Sequence, residues 1–297
     1  MIPRSDKSSE YIGRFAPSPT GPLHLGSIMA AYASYCDAMH NNGQWLVRIE
    51  DLDPPREQPG ASLSIIKTLK KYGFQFDENI IFQSQNDRQS AYQEALEILE
   101  KKFAVYNCSC SRTELKGVEI LEHPCRFQSK QPEIEFSVKL KATDEIICFE
   151  DMIQGQICKH LLNDCGDVVL KRKEGFYSYQ LAVVVDDFYQ GVTHVVRGID
   201  LLDSTPWQIY LNELLGFPQL QYSHIPVFVN NQGQKLSKQT FAQTIENENP
   251  IETLLFVHNH LKQQPFIEKP KTLEQFWNHA IQHWSLNNVP KISAIKV

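Results

Sequence analysis

The chain has 297 residues, 42% of them hydrophobic, and a formal net charge of −6. That size allows one large domain or two around an ample core, and the acidic balance excludes a wholly basic, histone-like nucleic-acid binder while leaving room for a local basic face. The seven cysteines are an odd number, "MIPRSDKSSE" at the start is polar, and no run approaches the ~18 apolar residues of a membrane span, so a reducing, cytoplasmic setting without a membrane partner is expected.

In chain order, "YIGRF" is a short strand candidate that ends at a proline-rich loop. From about Leu25 to Met39 apolar and small residues recur at helical spacing, and "NNG" at Asn41 to Gly43 stops the helix. "WLVRI" (Trp45 to Ile49) reads as a buried strand, and two helices are predicted at about Ala61 to Tyr72 and Asp87 to Phe103. This strand–helix alternation predicts a parallel sheet of the doubly wound α/β kind. From Tyr106 to about Lys173 the pattern changes to cysteine pairs and strand-like runs such as "EFSVKL" and "DVVLKR", which suggests an insertion with its own small β structure. The parallel pattern resumes with "YSYQLAVVVDDFYQG", "THVVRG", the helical "TPWQIYLNELLG" and the strand "IPVFVN". The expected organisation is therefore 1–105 and 174–240 as two halves of one domain, 106–173 as the insert, and 241–297 as a helical C-terminal region.

Two loops carry the chemistry. In "RFAPSPTGPLHLGS" (residues 14 to 27) prolines stiffen the approach to a helix start occupied by His24 and Gly26. Unpaired N–H groups and partial positive charge at a helix start suit phosphate, and glycine admits close approach. Ordinary α/β punctuation would look similar. Far along the chain, "KLSK" (Lys235 to Lys238) is either a solvated turn or a mobile cation that clamps a triphosphate.

Together the two loops resemble the paired signature sequences of class I aminoacyl-tRNA synthetases, which share a Rossmann-like catalytic domain. With "RIEDLDPPR", "YQLAVVVDD" and "THVVRGIDLLDSTPWQIYL", the chain is similar to the glutamyl-tRNA synthetase group from Tyr11 to about Gln239. Charge agrees with that resemblance. Free glutamate carries two carboxylates and one ammonium, and Arg14, Glu50 and Arg197 stand at predicted strand ends, where parallel sheets deliver ligand-binding groups; Tyr179 and Ser18 add hydroxyls. Structural ion pairs at the sheet ends are the plainer alternative. The resemblance implies a glutamate set of Arg14, Ala16, Ser18, Glu50, Tyr179 and Arg197. It also implies an ATP set of Pro17, Thr20, Gly21, His24, Gly26, Lys235, Ser237 and Lys238, with His24 and Lys238 catalytic. The implied reaction is adenylation of glutamate by ATP with Mg²⁺, achieved by positioning and charge stabilisation.

Cys108, Cys110 and Cys125 have spacing that suits structural zinc, which takes four ligands. The resembled group carries a tyrosine four residues before the last cysteine; Leu121 stands there and cannot ligate, which leaves His123 as a candidate substitute. Cys36, Cys148, Cys158 and Cys165 are expected to be packing residues. "KTLKK" (67 to 71), Lys101, Lys102 and "KRK" (171 to 173) supply local positive charge for RNA or simply for solvent. Only 58 residues follow Gln239, so no counterpart of the helical anticodon-reading modules of full-length relatives is expected. Brevity and similarity both favour a short bacterial branch of the group, which passes glutamate to queuosine at the wobble position of tRNA(Asp). Charging of a tRNA 3′ end, a small-molecule adenylyltransferase and a non-enzymatic tRNA-binding paralogue are the alternatives. A monomer is expected.

Overall fold

The computed structural model describes residues 10–111, 113–114, 120–127, 135–235 and 244–297. Strand β1 (Ile12–Phe15) runs into the proline loop, and helix α1 (Leu25–His40) follows, its small and aromatic side chains buried along Ile28 to Ala38. The helix stops where Asn42 turns to φ 54 and Gly43 passes so close to Tyr11 that a Cβ would collide with its carbonyl. Strand β2 (Gln44–Ile49) returns parallel to β1, with Arg14 opposite Leu46. Helix α2 (Ala61–Lys71), the short strand β3 (Ile81–Phe82) and helix α3 (Asn86–Lys101) complete a parallel β1-β2-β3 unit.

Strand β4 (Val105–Cys108) pairs antiparallel with β5 (Ser137–Leu140). A hairpin follows, β6 (Ile146–Asp151) and β7 (Gly155–His160), before β8 (Val168–Lys171) returns to β5 and closes a three-stranded antiparallel sheet. The run "YQLAVVVDDFY" forms helix α4 (Tyr179–Tyr189), with Leu181 to Asp187 buried. Strand β9 (His194–Gly198), helix α5 (Thr205–Leu215) and strand β10 (Gln221–Ile225) restore the parallel order. The β6–β7 hairpin is not confined to the small sheet, because Asp151 pairs with Tyr222 to give the order β7-β6-β10-β9. Thr193 at the foot of β9 donates its N–H to the Ile12 carbonyl at 2.9 Å, which sets β9 beside β1. Strand progress reverses at that seam, where doubly wound folds bind their ligands.

Pro226 interrupts the strand expected at "IPVFVN". Beyond it β11 (Val227–Val229) leaves the main sheet for β12 (Ala294–Lys296), so the mainly helical end of the chain, α6 (Pro250–His260) and α7 (Leu273–Gln282), also carries a strand. Aromatic residues Phe276, Trp277 and Trp284 pack with Tyr32, Tyr35, Trp45 and Phe74 against α1. Cys36 is buried and Cys165 packs against the second core cluster, as expected. Cys148 and Cys158 correct the expectation: the register of β6 and β7 places them directly opposite one another on an exposed face, where they form a disulfide. Among the described residues no helix is long and apolar enough to cross a membrane.

Candidate active site

A cavity of about 410 Å³ lies at the β1–β9 seam. Arg14, Ala16 and Ser18 reach it from the end of β1, Glu50 from the end of β2, Tyr179 from the start of α4 and Arg197 from β9. His24 and Gly26 line it from the start of α1, and Lys235 lines it from the loop after β11. The first signature loop and Lys235, the first residue of the distant second one, therefore meet at one cavity. Thr244, just past the lysine loop, forms an antiparallel bridge with His24, and Ile245 N donates to the Leu23 carbonyl at 3.3 Å. Pro17, Thr20 and Gly21 do not line the cavity; they shape the loop around it. The Pro17 carbonyl accepts the Glu50 N–H at 3.0 Å, and Gly21 takes φ 138, which a side chain would strain. Ser237 and Lys238 lie outside the described residues. His24 caps α1, its Nδ1 accepting the Ser27 N–H at 3.3 Å, so a neutral ring carries its proton on Nε2.

Behind the cavity is a buried network of the ion-pair kind allowed for at the sheet ends, built on Arg48, Asp186 and Asp187, which the sequence reading did not single out. Arg48 is fully buried and pairs with Asp187 at 2.8 Å, Glu50 at 3.5 Å and Asp186 at 3.9 Å; Arg14 meets Asp187 at 3.3 Å and Arg88 meets Asp186 at 3.4 Å. Three guanidiniums thus face three carboxylates. Burial raises Asp187, but Arg14 and Arg48 outweigh it and hold that carboxyl below its usual range. Glu50 goes the other way. Burial pushes it up to about 7, against the pull of Arg48 and Arg14. Arg197 stands outside this balance: it bonds His224, the Tyr179 hydroxyl, the Leu201 carbonyl and Thr205, and among the described residues no carboxylate pairs with it. A buried guanidinium held only by neutral groups favours an anionic ligand. The signal the sequence did carry was polarity out of place, an arginine inside "WLVRI" and two aspartates inside "LAVVVDDF".

A second cavity, about 880 Å³, adjoins the first through Arg56 and Tyr179 and is lined also by Lys139, Arg172, Lys173, Phe176 and Cys110. Its cations Arg56, Arg172 and Lys173 have protein partners: Asp53 meets Arg172 at 3.2 Å and also Arg56, and Lys173 holds the Ser109 carbonyl. Elsewhere Lys70 pairs with Glu78, Lys71 holds the Glu248 carbonyl, and Lys102 caps the Leu214 carbonyl. Next to the second cavity the sulfurs of Cys108, Cys110 and Cys125 lie within 4.8 Å of one another, with Cys110 and Cys125 at 3.4 Å. Thiolates on one zinc stand ~3.8 Å apart, so the set fits such an ion. The only buried apolar neighbour in this small cluster is Tyr106 among the described residues. His123 is not a fourth member. Its Nδ1 accepts the Cys125 N–H at 3.2 Å, which leaves the proton on Nε2, 3.5 Å from the Cys108 sulfur. It is a donor to that sulfur, and Leu121 is exposed.

Over residues 12–253 the chain matches the family described as tRNA synthetases class I (E and Q), catalytic domain. It is 45% identical over 295 residues to the Glutamyl-Q tRNA(Asp) synthetase of Acinetobacter baylyi, covering 96% of both chains. It is 44% identical over 293 residues to the protein of that name from Neisseria gonorrhoeae, covering 95% of this chain and 98% of the other. The chain belongs to the class I tRNA synthetases of the E and Q kind and, among them, to the glutamyl-Q tRNA(Asp) synthetase family. A solved glutamate-tRNA synthetase from Elizabethkingia anophelis shares the fold, with a TM-score of 0.81 at 24% identity over 97% of this chain and 68% of that one.

Proposed function

We propose that the chain is a ligase-type enzyme that activates L-glutamate with ATP, needs no tRNA for that step, and transfers the glutamyl group to queuosine at the wobble position of tRNA(Asp). The carrying observation is the charge pattern of one cavity, two buried guanidiniums (Arg14 and Arg197) and one buried carboxylate (Glu50) beside both signature loops. Glutamate presents the complement. In this reading Arg197 and Tyr179 take the side-chain carboxylate, Glu50 takes the ammonium, and Arg14, Ala16 and Ser18 orient the α-carboxylate. His24, Gly26 and the start of α1 receive the phosphates, with Lys235, Ser237 and Lys238 supplied by the lysine loop, and Pro17, Thr20 and Gly21 hold the loop in shape.

An α-carboxylate oxygen attacks the α-phosphorus, the bond to the bridging oxygen breaks, and pyrophosphate leaves; Mg²⁺ bound with ATP would neutralise charge on the phosphates. A queuosine hydroxyl then attacks the acyl carbonyl, losing its proton, and AMP departs to leave a glutamyl ester. The adjoining basic cavity, with Arg56, Arg172 and the half-exposed Phe176, suits a phosphate backbone and a stacked base. Cys108, Cys110 and Cys125 would hold Zn²⁺, a structural crosslink where the insert has little apolar core. The enzyme acts in the cytoplasm as a monomer.

Glutamate-dependent ATP–pyrophosphate exchange without RNA tests the first step; its absence from folded protein with Mg²⁺ rejects the enzyme reading. Labelled glutamate offered to tRNA(Asp) with and without queuosine tests the second. Label that ignores queuosine rejects the acceptor.

A further inference from the structure

A histidine, rather than a carboxylate, holds the guanidinium of Arg197. Arg197 Nε lies 3.0 Å from His224 Nε2, and the other ring nitrogen of His224 lies 2.6 Å from Asp151 Oδ2. All three residues are buried. An arginine Nε–H only donates, so Nε2 must accept; a neutral imidazole that accepts there carries its proton on Nδ1, facing the aspartate. Neutrality is favoured: burial, then the charge of Arg197, lowers the His224 pKa against the upward pull of Asp151. The aspartate is fixed in turn. Its Oδ1 accepts the backbone N–H groups of Ile153 at 3.0 Å, Gln154 at 2.8 Å and His224 at 3.2 Å.

We propose that Asp151 and His224 are positioning residues for the amino-acid substrate: the carboxylate sets the His224 tautomer, and that tautomer sets the Arg197 fork in the cavity. The inference rests on the reading of Arg197 as a glutamate-binding residue. It also gives the β6–β7 hairpin a place in substrate recognition, since Asp151 is the last residue of β6.

Asp151→Asn isolates the tautomer. Three backbone donors at Oδ1 require the amide oxygen to stay there, so the amide nitrogen must face His224. Nδ1 then accepts, the proton moves to Nε2, and two donors meet at Arg197 Nε. The new N–H turns instead to Thr205 Oγ1 at 3.2 Å, the same hydroxyl that receives Arg197 Nη2, so the fork loses its hold at Nε. A wrong tautomer in an otherwise intact site is a known route to lost activity. In ATP–pyrophosphate exchange Asp151→Asn should raise the glutamate KM roughly 10- to 100-fold, the loss of a charge-assisted hydrogen bond, while the ATP KM moves less than about twofold. An unchanged glutamate KM, or an equal rise for both substrates, overturns the proposal.

His224→Gln keeps an acceptor oxygen for Arg197 and should recover much of the glutamate affinity lost in His224→Leu; equal effects of the two overturn it. Arg197→Ala separates the two layers. If it spares the glutamate KM, the site reading itself fails; if it raises that KM while Asp151→Asn does not, only the positioning role fails. Nitrogen NMR of histidine-labelled wild-type protein needs no variant, and should show His224 protonated on Nδ1; an Nε2–H tautomer overturns the proposal.

Discussion

Glu50→Gln should stabilise the free protein while crippling it. The Glu50 carboxyl lies 3.5 Å from Arg48, yet burial dominates and moves its ionisation from 4.5 to about 7. The folded state therefore prefers the protonated form. Stability is full below about pH 4.5 and is lost as the pH rises to about 7, a total near 3 kcal/mol. The glutamine is neutral at every pH, so the variant should match wild type near pH 4, exceed it by roughly 1 kcal/mol near pH 5 and by about 3 kcal/mol near pH 8, read by urea unfolding at each. Meanwhile the glutamate KM should rise at least ~100-fold, because the substrate ammonium loses its anion in a buried site. A variant no more stable than wild type at pH 8, or a gain that does not shrink toward pH 5, refutes the reasoning.

Asp187→Asn removes a carboxylate that pairs with both Arg14 and Arg48, and should cost about 3–5 kcal/mol in urea unfolding; a loss below ~1 kcal/mol would mean that the buried network rearranges freely. Purified protein should carry close to one zinc per chain by atomic emission, and Cys110→Ser should release it and expose residues 105–173 to protease; full metal content in the variant would reject the three-sulfur site. Arg172→Ala should slow transfer to RNA and flatten its salt dependence far more than it slows ATP–pyrophosphate exchange; an equal effect on both would remove the second cavity from the acceptor path.

Much of the fold was legible wherever a local rule decided it. β1, α1 and β2 follow from apolar periodicity bounded by proline and "NNG", and Arg14, Glu50 and Arg197 were readable as charges at strand ends. What escaped depends on partners distant in the chain. Asp151 meets Tyr222 and His224 across some 70 residues, so neither the path of the hairpin into the main sheet nor its hold on Arg197 leaves a local trace. The Cys148–Cys158 bridge depends on an antiparallel register that spacing alone does not fix. Lys70 and Lys71 stay exposed, as a solvated face would, and only the structure shows that they also meet Glu78 and the Glu248 carbonyl.

The pairing of β11 with β12 bears on how the protein is handled at the bench. Val227–Val229 is zipped to Ala294–Lys296, Val297 N donates to the Val229 carbonyl at 3.0 Å, and Val229 bridges to Lys235 across the turn that follows. Trimming of residues 294–297 would strip β11 of its partner strand, just ahead of the bridge from Val229 to Lys235. On the proposed reading of Lys235 as an ATP contact, such a preparation would show a weakened grip on ATP.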